Sequence, residues 1–262
     1  MDGGKSFARW WHGLVLWVIV LAGSPDQASD YSFSNLLAQA ALAEHRADLP
    51  TALKLYGKAW QVESNHAAAL CVLARRYCDL VQLKDSVAVQ KDVLALALDC
   101  SWQAVKADSN NATAHACVAV CYAKSCAFAD LKTKLAYSRL FKLEAEKAIA
   151  LDPRQDIAYY LLGRWNYALA NVGLLSRAYV RVAYGGLPKA SNQDAIANFN
   201  HAIELAPDRI IHHAGLALAY EAAGERQLAI AEWKQCRALK PSGPEDRQAQ
   251  RDAANKLSAS GR

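Results

Sequence analysis

Three cations and two tyrosines stand out for the chemistry they would do together. Arg75, Lys124 and Arg164 occupy equivalent outward positions of three successive helical segments, and Tyr160 and Tyr167 lie four residues before and three after the last of them. Arginine offers paired, planar hydrogen bonds to a carboxylate, and tyrosine supplies flat contact area at little conformational cost. Facing one groove, the five would suit a peptide or partner helix, with a preference for acidic or carboxylate-bearing ligands. A local reading competes with this one: cations on helix surfaces are commonly solvated or paired, and Arg75 stands four residues before Asp79. The same register turns Cys71 and Ala116 outward as well.

Other chemistries find less support. His115, Cys117 and Cys121 on one helix do not set three metal ligands on one side, and the adjacent His212 and His213 point apart, so no metal site is expected. The seven cysteines are odd in number, form no C-x-x-C pair and mostly sit among Ala, Val and Leu. There they read as small buried hydrophobes. The turn from Gly185 to Pro188 follows no strand and is no phosphate loop. No set of Ser, His and Asp in a recognisable frame is found, so neither catalytic residues nor a cofactor is expected. The net charge of +5, from 30 basic and 25 acidic residues with no long block of one sign, does not indicate a nucleic-acid partner.

The elements that must position these side chains are helices. With 53% hydrophobic residues and only 13 Gly and 7 Pro in 262, the composition disfavours turn-rich β architectures. AIANFNHAIELAP from Ala195 and AIAEWKQCRALKP from Ala229 correspond at a spacing of 34 residues: Ala195 with Ala229, Phe199 with Trp233, Ala202 with Cys236, Pro207 with Pro241. Small, aromatic, small and Pro in that order is the second helix of a tetratricopeptide unit, in which small residues admit the neighbouring helix and Pro ends the run. Leu216, Ala217, Tyr220 and Gly224 fill the matching slots of the first helix. Reading backwards, helix ends recur near Pro153, Ser109 and Ser64, and the first unit shows Ala52, Tyr56 and Ala59 at the second-helix spacing.

The pattern predicts an all-α, right-handed superhelical solenoid of about five irregular tetratricopeptide-like pairs with a C-terminal capping helix from about Pro244 to Leu257. Residues 85–107 and 131–151 keep a helical apolar period, so the insertions in the second and third units lengthen their second helices. The fourth insertion holds Gly185, Gly186 and Pro188 and reads as a short helix followed by a loop. Its basic, aromatic set of Arg177, Tyr179, Arg181 and Tyr184 is expected to cover the apolar flank of the fourth pair, a membrane surface or a partner being the other option.

Three stretches, LARRYCDL, LDPRQDIAYYLLGRWNYALANVG and VAYGGLPKASNQDAIANFNHAIELAPDRIIHHAGLALAYEAAG, are similar to the regulator of microtubule dynamics family, including its bacterial members. LLGRW at Leu161 to Trp165 and the loop from Gly186 to Ser191 are the distinctive pieces, since ordinary tetratricopeptide arrays have neither. The similarity covers about residues 31–258. It implies a helical repeat protein without catalytic residues that acts as an adaptor. For eukaryotic relatives it implies association with microtubules, the spindle or contacts between mitochondria and the endoplasmic reticulum. A microtubule-associated role is one alternative for this chain. A small-molecule or lipid carrier, with a pocket between the long inner helices and the fourth insertion, is another.

At the amino terminus Lys5 and Arg9 precede an uncharged run from Leu14 to Ala22 that Gly23, Ser24 and Pro25 break. That order is the layout of a secretory signal peptide. Residues 1–23 are therefore expected to be a signal peptide, or an uncleaved anchor and the chain's one contact with a membrane. Residues 24–30 then read as a linker, 31–258 as the repeat domain and 259–262 as a tail. Export to a bacterial periplasm is the expected destination.

Overall fold

A computed structural model of the chain describes residues 32–46, 48–82 and 86–260. The expected signal peptide and linker lie outside them. Among the described residues there are twelve α-helices, one 3-10 turn and no strand. Two compact units meet in sequence between Val62 and Glu63.

The first unit holds α1 (Phe33–His45) and α2 (Leu49–Val62). Ser32 caps α1 by accepting from the Asn35 N–H at 3.3 Å, which satisfies one of the orphan donors of the first turn. Ala52, Tyr56 and Ala59 of α2 are fully buried against Leu36, Ala40 and Ala43 of α1. The Tyr56 hydroxyl donates to Glu44 Oε1 at 2.6 Å. The small, aromatic, small spacing read from the sequence is thus the buried face of α2.

The second unit runs through α3 (Ala67–Val81), α4 (Val87–Ala107), α5 (Ala112–Ser125), α6 (Leu131–Leu151), α7 (Asp156–Ala170), α8 (Leu174–Tyr184), α9 (Asn192–Leu205), α10 (Ile210–Ala223), α11 (Arg226–Ala238) and α12 (Pro244–Ser260). The hairpins are α3 with α4, α5 with α6, α7 with α9, and α10 with α11. Their first helices stack on one another, α3 on α5, α5 on α7, α7 on α10, and α12 closes the series on α10 and α11. Each hairpin is too thin to hide its own apolar stripe, so its neighbour covers it.

Local chemistry sets the boundaries. Asn111, Asp130 and Ser191 each accept from a backbone N–H three residues on, capping α5, α6 and α9. Gly185 and Gly224 end α8 and α10 in the left-handed region, at φ 79° and 83°. The expected lengthening is found in α4 and α6, of 21 residues each. In the fourth hairpin α8 is an excursion: the chain leaves α7, makes this short helix, and returns as α9 to complete the pair.

Phe199 of α9 enters between α7 and α10, and both present glycine to its ring. A Cβ at Gly215 would lie 2.5 Å from Phe199 Cε1, and one at Gly163 would lie 2.7 Å from Cδ1. The ring is 1% exposed. In an open helix, Gly215→Ala would gain about 1 kcal/mol of helix propensity. Here overpacking costs roughly 1–3 kcal/mol and sets the sign. Gly215→Ala is therefore expected to lose up to about 2 kcal/mol in urea unfolding, and Phe199→Leu in the same chain to recover part of it. A Gly215→Ala protein more stable than its parent would refute this packing.

Candidate functional site

Leu161, Gly163 and Trp165 are buried, and Trp165 Nε1 donates to Ser138 Oγ of α6 at 3.0 Å. The distinctive LLGRW segment is therefore mostly hairpin packing. Between those residues Arg164 points out, and with Tyr160 and Tyr167 it lines a cavity of about 760 Å³. Leu218 of α10 and Glu245 of α12 close other walls.

Within it the aromatic and charged groups are held in order. The Tyr160 ring lies 5.8 Å from Phe199 and 5.4 Å from His212, centroid to centroid, and the Arg164 guanidinium sits 5.8 Å from the Tyr160 ring. Tyr160, and behind it Glu245, push the Arg164 pKa up against the opposing effect of burial. Lys124 of α5 makes an ion pair with Glu245, whose Oε1 also accepts from Nε2 of Gln82, just after α3, at 3.2 Å. Burial pulls the Lys124 pKa down, but Glu245 and the other anionic partners around it outweigh that and leave it raised.

The five residues singled out by sequence are thus placed differently. Tyr160, Arg164 and Tyr167 share one cavity, and Lys124 reaches its edge through Glu245. Arg75 is exposed on α3 and is not on this cavity's lining. Its expected neighbour Asp79 lies 3.9 Å from Arg76 instead. Cys71 and Ala116 are buried rather than outward, because α3 and α5 pack directly on each other there, with Cys117 Sγ 3.8 Å from the Cys71 carbonyl.

Sequence reasoning missed the part played by α12, which reads as a polar cap. Besides Glu245, it supplies Lys256, paired with Glu221 at 2.6 Å, and Asp246, buried and accepting from the Ile211 N–H at 3.2 Å and the Ser242 N–H at 3.0 Å.

The remaining titratable groups are structural clamps. His115 Nδ1 lies 2.6 Å from Glu144 and its Nε2 3.0 Å from the Ser109 carbonyl. His213 repeats this with Glu232 at 2.7 Å and the Pro207 carbonyl at 2.8 Å. Each ring ties the start of a first helix to its second helix and to the loop six residues back. Six cysteines are buried, with Cys78 and Cys121 sulfurs 3.7 Å apart, and the contact with Cys78, then burial, pushes the Cys121 pKa up, which keeps it a thiol. Among the described residues no three His, Cys, Asp or Glu side chains converge as metal ligands.

The expected cover over the fourth hairpin is partial. Only Val180 of α8 is buried, and an apolar cavity of about 610 Å³ remains between α8 and the helices α6 and α7, bordered by Leu135, Phe141, Trp165, Leu169 and Tyr179.

The family described as regulator of microtubule dynamics protein 1-3 matches residues 36–261. Regulator of microtubule dynamics protein 3 of Xenopus laevis is 30% identical over 143 residues, 55% of this chain and 31% of that protein. Regulator of microtubule dynamics protein 1 of Mus musculus is 29% identical over 147 residues, 56% of this chain and 48% of that protein. The aligned part thus spans about a third to about a half of these relatives. Among solved structures, a thermophilic TPR protein of Thermus thermophilus superposes with a TM-score of 0.60 at 18% identity, over 85% of this chain and 99% of that one. PilW, a type IV pilus biogenesis factor, gives 0.51 at 14% identity, over 86% and 85%. At such identities the likeness is one of fold: an all-α, tetratricopeptide-like solenoid.

Proposed function

Because the chain belongs to the regulator of microtubule dynamics family, we propose that it is a non-enzymatic scaffold whose second unit holds a peptide or partner helix, preferentially an acidic one, in the cavity of Tyr160, Arg164 and Tyr167. The observation that carries this reading is the chain's own carboxylate at the site. Glu245 reaches the cavity from α12 and is held there by Lys124 and Gln82 beside Arg164. A partner carboxylate would meet the same donors, with the tyrosines giving apolar contact and Arg164 setting orientation.

The test is a pull-down from native extract, followed by fluorescence anisotropy with acidic peptides from the recovered partner. Arg164→Ala is expected to weaken binding about tenfold, near 1.4 kcal/mol, and added salt to weaken the parent. Recovery of the same partners by a protein carrying both Arg75→Ala and Arg164→Ala would overturn the assigned site. Export forms part of the proposal: the N-terminal residue of the mature protein should lie just after Gly23, whereas an intact start with cytosolic retention would instead favour a cytoskeletal role.

The apolar cavity beside α8 favours a second reading, a carrier of a small apolar molecule. Native mass spectrometry after gentle purification separates the two, since a co-purifying ligand supports the carrier and a bare chain the peptide scaffold.

A further inference from the structure

α8 is a helix turned inside out. In the first and second helices of the hairpins the apolar face is buried. In α8 the large apolar side chains stand in solvent, Leu174 86% exposed, Leu175 89%, Val182 87% and Tyr179 58%. At 100° per residue, Leu174, Ala178, Val182, Leu175 and Tyr179 fall within an arc of roughly 140° on one side. Val180, the one buried residue, lies on the other. Arg177 Nη2 donates to the Leu169 carbonyl at 2.7 Å and fastens the inner side to the end of α7. The cavity beneath does not satisfy the outer arc: Leu175 and Tyr179 border it yet stay exposed, and Leu174 and Val182 are not on its lining.

Charge says what the arc would meet. Between Asp156 and Asp194 the sequence carries no acidic residue, while Arg177, Arg181 and Lys189 lie in or just after α8. Arg181 is exposed at the margin of the apolar arc, where its stem can lie along apolar surface with the guanidinium in water. An apolar arc with a cationic margin and aromatic side chains matches a helix that lies in a membrane interface rather than crossing one. At 11 residues α8 is also far too short to span.

We infer that α8 docks this protein on an anionic lipid surface, inserting Leu174, Leu175 and Val182 among the acyl chains while Arg181 and Lys189 engage headgroup phosphates. A second copy of the chain is a poorer occupant, since a two-fold contact through this arc would set the cations of one copy against those of the other. A folded partner would need pockets matched to these protruding side chains, whereas a fluid bilayer accepts them in any arrangement. This inference is independent of the groove reading, and it replaces the cover expected of this segment by the membrane contact that the sequence left as its other option.

The full chain is to be mixed with vesicles of phosphatidylcholine alone, or of phosphatidylcholine with phosphatidylglycerol, and followed by co-sedimentation and by amide hydrogen exchange. Exchange resolves α8 from any binding through the amino-terminal segment. Slowed exchange in residues 174–184 is expected with the anionic vesicles, weakening as salt is raised. Leu175→Glu with Val182→Glu should abolish that protection while the thermal transition stays in place, both side chains being solvent-exposed in the parent. Arg181→Glu should lower the partition constant about tenfold. Unchanged exchange in 174–184 with the chain bound to vesicles would overturn the inference. So would equal protection by neutral vesicles, or a vesicle-free dimer at sedimentation equilibrium that Leu175→Glu dissolves.

Discussion

Asp246→Ala is expected to remove roughly 3 kcal/mol of stability and to loosen α12 from the second unit. The expectation comes from where the carboxylate sits. α10 begins after Arg209, whose side chain makes no capping bond, so the Ile211 N–H has no side-chain cap from its own helix start. Asp246, on the first turn of α12, supplies one from outside: Oδ1 takes the Ile211 N–H and Oδ2 the Ser242 N–H. One buried anion therefore caps α10 and fixes the loop into α12. Its removal orphans a buried N–H, worth about 1–3 kcal/mol, and deletes a charge at a helix N-terminus, worth roughly 0.3–2 kcal/mol. Asp246→Asn keeps one acceptor and should lose about half as much. Because Glu245 is the adjacent residue, freeing α12 also takes the internal carboxylate away from Lys124. Acidic peptides should then bind Asp246→Ala more tightly than the parent if Glu245 competes for the groove. Urea unfolding gives the first quantity and anisotropy the second. A loss below about 0.5 kcal/mol, the range of an ordinary surface change, would show that α12 is held by its apolar contacts instead.

The repeat was legible because its signals are local. Ala195, Phe199, Ala202 and Pro207 recur 34 residues on, and each turns out buried or at a helix end because hairpin packing imposes the same demand each time. The caps at Asn111, Asp130 and Ser191 act over three residues and are local in the same way. What escaped were partners without a fixed spacing. Glu144 lies 29 residues after His115, but Glu232 only 19 after His213, because the lengthened α6 shifts the count. An acidic pair in the first turn of α12 reads as a complement to its own helix dipole. Nothing in the spacing says that Asp246 caps another helix. Arg75 illustrates the converse. Register alone places it in line with Lys124 and Arg164, but that register says nothing of where the cavity lies, and α12 reaches Lys124 and Gln82 without bringing Arg75 onto the lining.

Two adjacent histidines should make stability depend on pH in opposite directions, His212 more strongly. His212 is fully buried between Tyr160 and Asp156, the latter 3.4 Å away and itself bonded to Arg209 at 2.9 Å. Burial lowers its pKa to about 4, Asp156 opposing and Arg209 assisting. Between that value and the ordinary 6.5 the unfolded chain binds a proton that the folded chain refuses, so stability falls as pH drops. The slope approaches about 1.4 kcal/mol per pH unit and the total roughly 3 kcal/mol. Above pH 6.5 the ring is neutral in both states and the term is flat. For His213, burial works downward, but the bonds to Glu232 and the Pro207 carbonyl outweigh it and raise the pKa. Its contribution is present below 6.5 and fades as pH climbs through the raised value. The difference in melting temperature between His212→Phe and the parent isolates the larger effect, since Phe keeps the ring against Tyr160 and cannot titrate. That difference should move in favour of the variant as pH falls from about 7 toward about 4.5, and His213→Gln should drift the other way. A His212→Phe difference that stays constant with pH would mean that the ring takes up its proton equally in both states, and one that moves against the variant would mean that it is charged in the fold, paired with Asp156.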